Sequence, residues 1–193
     1  MNLYILRHAS AGVKRVNPIL DHKRPLDKEG KRHCLQLAHV LNSMKVQFDM
    51  IVSSPLKRSM QTASLVGTEM GYEAKIISSA ALAPDATLAQ FHKLLRDYAG
   101  QENLLIVGHN PNLAAFMGSL LVPAATSASG LEDFAGAANI RLRKGSLARL
   151  NLTRGPAALQ WLLDPRTVRA LYATSLSLYA TSMTKSRRKT SRK

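Results

Sequence analysis

The stretch NLYILRHASAG, residues 2–12, joins a short apolar run directly to an arginine and a histidine. Residues 2–6 have the length and composition of a buried strand, and Arg7 and His8 follow it at once. Similar short apolar runs, bounded by Gly, Ser, Pro or polar residues, occur at 49–52, 74–77 and 103–107. The pattern predicts strands of a largely parallel sheet. The question is whether Arg7 and His8 merely end a strand or begin an active site.

Segments with helical spacing of apolar residues separate these strands, at about 28–43, 55–70 and 86–98. Alternating strands and helices predict an α/β fold, a three-layer α/β/α sandwich around a mostly parallel central sheet. The segments 145–152 and 158–165, joined by a Gly-Pro turn, predict a hairpin. The stretch 122–139 is rich in Ala, Ser and Gly without a clear period, which predicts a long loop with at most one weak helical turn.

Two predicted helices have well-marked starts directly after strands. Ser54 is a natural N-cap with Pro55 at the first helical position, and Asn110 and Pro111 repeat the pattern after the run at 103–107. Both starts lie at the carboxyl ends of strands, which is where open α/β sheets bind their ligands.

Length and composition predict one domain in a reducing compartment. The chain has 193 residues, of which 46% are hydrophobic, and a single cysteine, Cys34. One cysteine excludes a disulfide framework within the chain and a zinc site built from several thiolates, and we expect it to be a small buried residue on a helix. No secretory signal follows Met1, and no apolar run approaches the roughly 20 residues that span a bilayer. We therefore expect a cytoplasmic protein.

The formal charge of +15 indicates anionic partners such as phosphate compounds. Six of the 27 Lys and Arg residues lie in the last nine positions, KSRRKTSRK, which contain no apolar residue. Such a tail cannot bury enough surface to offset its ordering entropy, so 185–193 is predicted to be disordered. No groove-reading element or series of stacking aromatics accompanies the charge, so we expect at most weak, salt-sensitive binding to nucleic acid and none that is specific.

Three separated motifs converge on one edge of the predicted sheet. They are LRHA with Arg7 and His8, SSPLKRSMQTA with Arg58, and VGHNP with His109. Arginine binds two phosphoryl oxygens at once, helix N-termini add N–H donors, and a neutral imidazole is a good nucleophile near pH 7. Together these residues predict a site for a dianionic phosphoryl group.

In this order and spacing, the motifs resemble those of the histidine phosphatase superfamily, the group that includes the phosphoglycerate mutases. The segment DHKRPLDKEGKR at 21–32 and the strands LRKGSLARL and LQWLLDP further resemble the small SixA-type phosphohistidine phosphatases. The resemblance covers residues 1–165, which we take as the catalytic domain. Residues 166–184 are then a C-terminal extension that can form a helix.

The resemblance implies a phosphoglycerate mutase-like fold and a phosphatase that needs no cofactor. No cluster of His, Asp and Glu recurs at the spacing of metal ligands, so we expect no metal site. By this resemblance, His8 is the nucleophile that becomes phosphorylated, and the phosphoryl oxygens are bound by Arg7, Arg58 and His109. Arg24, in the R-P-L segment, becomes a further phosphate or substrate contact. The chain departs from the family pattern at Ala9, where glycine is common, and at Asp27, where Ser or Thr usually follows R-P-L.

Larger members of the superfamily carry an acidic general acid, for which Asp85 in LAPDAT is the one candidate here. Phosphohistidine is a phosphoramidate whose imidazole can leave already protonated, whereas an alkoxide needs a proton from an acid. The absence of a clearly placed acid therefore favours phosphohistidine over a phosphate ester. The small size leaves little chain for a lid that would enclose a metabolite, which favours a protein as the substrate. A small-molecule phosphomonoesterase and a non-catalytic phosphate-binding module are the alternatives.

The other histidines are expected to have surface or structural roles. His22 lies in a loop, and His33, His39 and His92 lie on predicted helices without the spacing of metal ligands.

Overall fold

A six-stranded sheet forms the middle layer of the protein. The computed structural model describes residues 1–122 and 140–190. The strands in them are β1 (Asn2–Arg7), β2 (Met50–Ser53), β3 (Ile77–Ser78), β4 (Asn103–Gly108), β5 (Leu147–Asn151) and β6 (Ala158–Leu163). Their order in the sheet is β3-β2-β4-β1-β5-β6. β1 pairs in parallel with β4, β4 with β2, and β2 with β3, while β5 runs antiparallel to both of its neighbours.

Helices cover both faces of this sheet, because successive side chains of a strand point to opposite faces. The described helices are α1 (Pro18–His22), α2 (Lys28–Ser43), α3 (Lys57–Glu69), α4 (Leu88–Asp97), α5 (Asn112–Leu121) and α6 (Pro165–Thr190), with a 3-10 turn at Ala80–Leu82. In β1, Tyr4 and Leu6 pack under α2, α3 and α6, whereas Leu3 and Ile5 pack under α4 and α5. The predicted three-layer α/β/α sandwich is thereby confirmed.

Both predicted helix starts are wrong by one or two residues, because the shortest hydrogen bond of each cap side chain is to a residue distant in the sequence. α3 begins at Lys57, and the Ser54 hydroxyl lies 2.8 Å from the ring of His109. α5 begins at Asn112, and the side-chain amide of Asn110 donates to the carbonyl of Leu142 at 3.1 Å. The predicted hairpin is confirmed as the antiparallel pair β5–β6, and Cys34 is buried on α2 as expected.

The C-terminal end of the chain is helical further than the sequence predicts. α6 covers the whole extension at 166–184 and continues to Thr190. Part of the segment predicted as disordered is thus helical, because no Gly or Pro interrupts residues 166–190 and Lys and Arg are good helix formers. Residues 191–193, and the predicted loop after Val122, lie outside the described residues. No described helix is long and apolar enough to cross a membrane.

The start of α2 is fixed against the loop that follows β1. The Asp27 carboxylate accepts from the N–H of Gly30 at 2.7 Å and from the Ser10 hydroxyl at 2.7 Å, and the Asp27 N–H donates to the Ser10 carbonyl at 3.2 Å. Gly30 faces the same carbonyl, and a Cβ atom at this position would overlap with it. This close approach brings the R-P-L segment beside the end of β1.

We therefore expect Gly30→Ala to destabilise the protein, although alanine normally stabilises a helix interior by about 1 kcal/mol over glycine. Overlap with a backbone atom should instead lower the free energy of unfolding by about 1–3 kcal/mol. Denaturant unfolding measures the change, with Gly100→Ala as the control, because a Cβ atom there meets nothing within 4 Å. A Gly30→Ala variant as stable as the parent protein would contradict the close approach.

Candidate active site

The parallel pairing of β1 with β4 brings the two histidine motifs together. Arg7 is in register with Gly108, and the His8 N–H donates to the Gly108 carbonyl at 3.1 Å. The rings of His8 and His109, one residue beyond this pair, have centroids 5.0 Å apart. Both histidines are almost completely buried at the end of the sheet.

A cleft of about 750 Å³ opens at this edge of the sheet. Five of the residues predicted from the sequence line it: Arg7, His8, Arg24, Arg58 and His109. Asp85 is exposed and does not line the cleft, although its neighbour Pro84 does. The structure thus brings together the predicted phosphate-binding residues and leaves the candidate acid outside.

His8 is held as a neutral imidazole in one tautomer. Its Nδ1 lies 2.8 Å from the carbonyl oxygen of Ala9, which can only accept, so Nδ1 carries the proton. Burial, with smaller contributions from the positive charges of Arg58, Arg7 and Lys144, lowers the pKa of His8 to about 3. Nε2 therefore carries the free lone pair at neutral pH, as nucleophilic attack requires.

Arg7 and Arg58 are both anchored through one terminal nitrogen. Nη1 of Arg7 donates to the Leu142 carbonyl at 2.7 Å, and Nη1 of Arg58 donates to the Asp21 carbonyl at 3.0 Å. The Nε atom of each arginine is buried and has no partner among the described residues. A buried, unpaired N–H group is costly. An oxyanion bound along the Nε side of each guanidinium would satisfy it.

Asp21 connects Arg58 to Arg24, the residue of the R-P-L segment. Its carboxylate lies 2.9 Å from Nε of Arg24 and 3.3 Å from Nη1 of Arg58, and both ion pairs are nearly buried. Arg24 also donates through Nη1 to the carbonyl of Gly12 at 2.6 Å. The carboxylate offsets the repulsion between two neighbouring guanidinium groups and so holds both at the cleft.

His109 is fixed by two serines. Its Nε2 lies 2.8 Å from the Ser54 hydroxyl and 3.2 Å from the Ser59 hydroxyl, while its buried Nδ1 has no partner among the described residues. Burial, followed by interaction with His8 and with the charge of Arg58, lowers the pKa of His109 to about 3. A neutral His109 can carry its proton on Nδ1 and donate it to a bound anion while Nε2 accepts from a serine hydroxyl.

The sequence does not predict four other polar residues as part of the cleft, namely Lys14, Asp21, Asn110 and Lys144. A signal exists for Asp21, which stands three residues before Arg24, at the spacing of a helical ion pair. Ser54 is recognised only as a helix cap, although its hydroxyl contacts His109. Lys144 carries no sequence signal, because its position depends on the distant turn before β5.

His33 supports that turn from α2. Its Nε2 donates to the Gly145 carbonyl at 2.9 Å, and the Gly145 N–H donates to the Arg7 carbonyl at 3.0 Å. Gly145 has a φ of 83°, a conformation that favours glycine. Elsewhere, His39 contacts the hydroxyl of Ser175 at 2.8 Å. Among residues 1–122 and 140–190, no group of three or more His, Cys, Asp or Glu side chains is arranged to hold a metal ion.

The two buried histidines predict that the protein loses stability in mild acid. Their pKa is about 3 in the folded protein and about 6.5 when unfolded, so the unfolded state binds more protons between these values. As the pH drops below about 6, each of the two histidines should lower the free energy of unfolding by up to about 1.4 kcal/mol per pH unit.

Denaturant unfolding at pH 7 and pH 5 tests this, with a His8→Asn/His109→Asn variant as the reference. The variant retains His33, whose pKa is also lowered by burial, so that contribution cancels between the two proteins. Equal losses of stability in both proteins would show that His8 and His109 do not titrate as expected.

The fold is shared with solved phosphatases. A structure of the protein histidine phosphatase SixA complexed with tungstate has a TM-score of 0.72 and 20% identity, and the match covers 87% of this chain and 99% of that one. The alpha-ribazole phosphatase from Shigella flexneri has a TM-score of 0.65 and 18% identity, over 86% of this chain and 97% of that one. A mycobacterial glucosyl-3-phosphoglycerate phosphatase in complex with VO3 has a TM-score of 0.64 and 18% identity, over 83% of this chain and 97% of that one. These similarities confirm the phosphoglycerate mutase-like fold.

Sequence comparisons agree with the geometry of the cleft. The model of the histidine phosphatase superfamily (branch 1) matches residues 3–83, which contain Arg7, His8, Arg24 and Arg58. An uncharacterised protein of Picosynechococcus sp. (strain ATCC 27264 / PCC 7002 / PR-6) is 34% identical over 116 residues, which are 58% of this chain and 68% of that relative. These relationships support phosphatase activity. The chain belongs to the histidine phosphatase superfamily.

Proposed function

We propose that the protein is a phosphatase that works through a phosphohistidine at His8 and removes the phosphoryl group from phosphohistidine on a protein. The observation that carries the proposal is the state of His8 in the cleft. Its Nδ1 is bound to the Ala9 carbonyl, its pKa is about 3, and it lies beside two arginines whose Nε atoms have no partner in the described part of the chain. A neutral nucleophile next to unused donors suits attack on an anionic phosphoryl group.

In the first step, the lone pair on Nε2 of His8 forms a bond to phosphorus. The bond from phosphorus to the substrate imidazole breaks, and its electron pair stays on that imidazole, which leaves as a neutral ring when its other nitrogen already carries a proton. Arg7 and Arg58 bind the phosphoryl oxygens, and His109 donates from Nδ1. In the second step, water attacks phosphorus, the bond to His8 breaks, and inorganic phosphate is released.

The carboxylates of the cleft favour a substrate that needs no proton from the enzyme. Among the described lining residues these are Asp21 and Asp27. Burial raises the pKa of both carboxylates, but the hydrogen bonds that they accept outweigh this effect and lower the pKa of each overall. Asp21 accepts from the Arg15 N–H and from Arg24, and Asp27 accepts from the Ser10 hydroxyl and the Gly30 N–H. Both are therefore ionised at neutral pH, when a general acid would have to be protonated. A phosphoramidate requires no such acid.

A small-molecule phosphomonoesterase is the second candidate. The open cleft of about 750 Å³ could hold a metabolite, and the proteins of similar fold include phosphatases named for small phosphate compounds. Turnover of a chemically phosphorylated histidine protein, compared with turnover of sugar phosphates and nucleotides, distinguishes the two. Efficient ester cleavage that is lost in Asp85→Asn would contradict the phosphohistidine assignment and restore Asp85 as an acid.

We predict that His8→Asn lowers kcat by on the order of 1,000-fold or more, because the nucleophile is removed. Binding of inorganic phosphate should remain largely intact, since the arginines and His109 are unchanged. Steady-state turnover and calorimetric titration with phosphate measure the two effects. His22→Asn is the matched control, because His22 is exposed and does not line the cleft. Normal turnover by His8→Asn would refute the mechanism. If neither the parent protein nor the variant turns over substrate, but both bind phosphate equally well, the protein is a binding module.

A further inference from the structure

A second depression adjoins the cleft on the side of α1. This groove, of about 590 Å³, lies between residues 12–20 and 23–27. It shares four lining residues with the cleft: Gly12, Val13, Arg24 and Asp27. A chain segment bound in the groove would therefore lead directly to the position of the phosphoryl group.

The segment beside the groove exposes an unusual number of apolar side chains. Every residue from 12 to 20 is exposed, and the exposed fractions are 82% for Val13, 102% for Val16, 67% for Ile19 and 57% for Leu20. Apolar side chains concentrated at the rim of a cleft are typical of surfaces that bind a partner. We call these four residues the apolar rim.

The backbone under the apolar rim is anchored to the cleft. The Arg15 N–H donates to the Asp21 carboxylate at 3.0 Å, and Asn17 caps α1 by accepting from the Ile19 N–H at 2.9 Å. Arg24 holds the start of the segment through the carbonyl of Gly12. The rim is thus preorganised, which lowers the entropy lost when a partner binds.

The charges around the groove select the kind of partner. Arg15, Lys23 and Arg24 line it, and Asp27 is the single acidic residue among the described residues that line it. Lys14 and Lys144 add positive charge where the groove meets the cleft. An acidic segment with apolar side chains complements this surface in charge and in hydrophobicity.

We propose that the groove and the apolar rim form a docking surface for an acidic, apolar segment next to the phosphohistidine of a protein substrate. This inference rests on the proposed function, and it extends that function from the phosphoryl group to the surrounding polypeptide. Docking would contribute mainly to KM, because the contacts form before the chemical step and persist through it.

Two phosphohistidine peptides of equal length test the docking surface. One carries Asp, Glu and Leu beside the phosphohistidine, and the other carries Gly and Ser. The parent protein should have about tenfold higher kcat/KM for the acidic, apolar peptide, mainly through KM, and added NaCl should reduce the preference. Equal kcat/KM values would overturn the docking surface while leaving the proposed function intact. Failure to hydrolyse either peptide, with turnover of sugar phosphates, would instead overturn the proposed function.

Variants then locate the preference on the protein. Val16→Ser/Leu20→Ser should lose most of the preference and retain its turnover of the Gly-Ser peptide, because neither residue lines the cleft. The matched control is Leu176→Ser/Leu178→Ser on α6, where the two leucines are 48% and 67% exposed. Lys23→Gln, a single exposed substitution, tests the charge separately and should weaken the response to NaCl. A preference that survives in both the rim variant and Lys23→Gln would overturn the proposal.

Discussion

The parallel pairing of β1 with β4 is the constraint on which the active site depends. Arg7 lies in register with Gly108, so the residues that follow the two strands, His8 and His109, meet at one edge of the sheet. Their rings are 5.0 Å apart, close enough to contact one phosphoryl group from two sides. A shift of one residue in this register would turn the side chains of β1 to the opposite face and remove His8 from the cleft.

Burial and positive charge act together on this edge. Both lower the pKa of His8 and His109, which keeps the two rings neutral beside Arg7 and Arg58. Asp21 offsets part of the positive charge and fixes Arg58 through one nitrogen, and the buried Nε atoms of the two arginines have no partner among residues 1–122 and 140–190. An anion bound in the cleft would accept hydrogen bonds from these Nε atoms and offset part of the remaining positive charge.

The sequence predicts the parts of the site that depend on strand ends. Arg7, His8 and His109 follow short apolar runs, and the carboxyl ends of parallel strands must share one edge. The sequence does not predict the contacts of side chains that bond to distant residues when a local partner is also within reach. Ser54 and Asn110 have the composition of helix caps but bond to His109 and Leu142, which are far away in the sequence. For the same reason the sequence does not predict α1 or the position of Lys144, since tertiary contacts place them at the cleft.

In the proposed mechanism, His8 carries the phosphoryl group between substrate and water. Mass-spectrometric mapping of the protein, quenched in alkaline denaturant during turnover of a phosphohistidine peptide, tests it most directly, because phosphohistidine survives at high pH. We expect a single phosphoryl group, located on His8, that disappears when the substrate is exhausted. A phosphoryl group on His109 or on any other residue, or turnover without a phosphorylated enzyme, would contradict it.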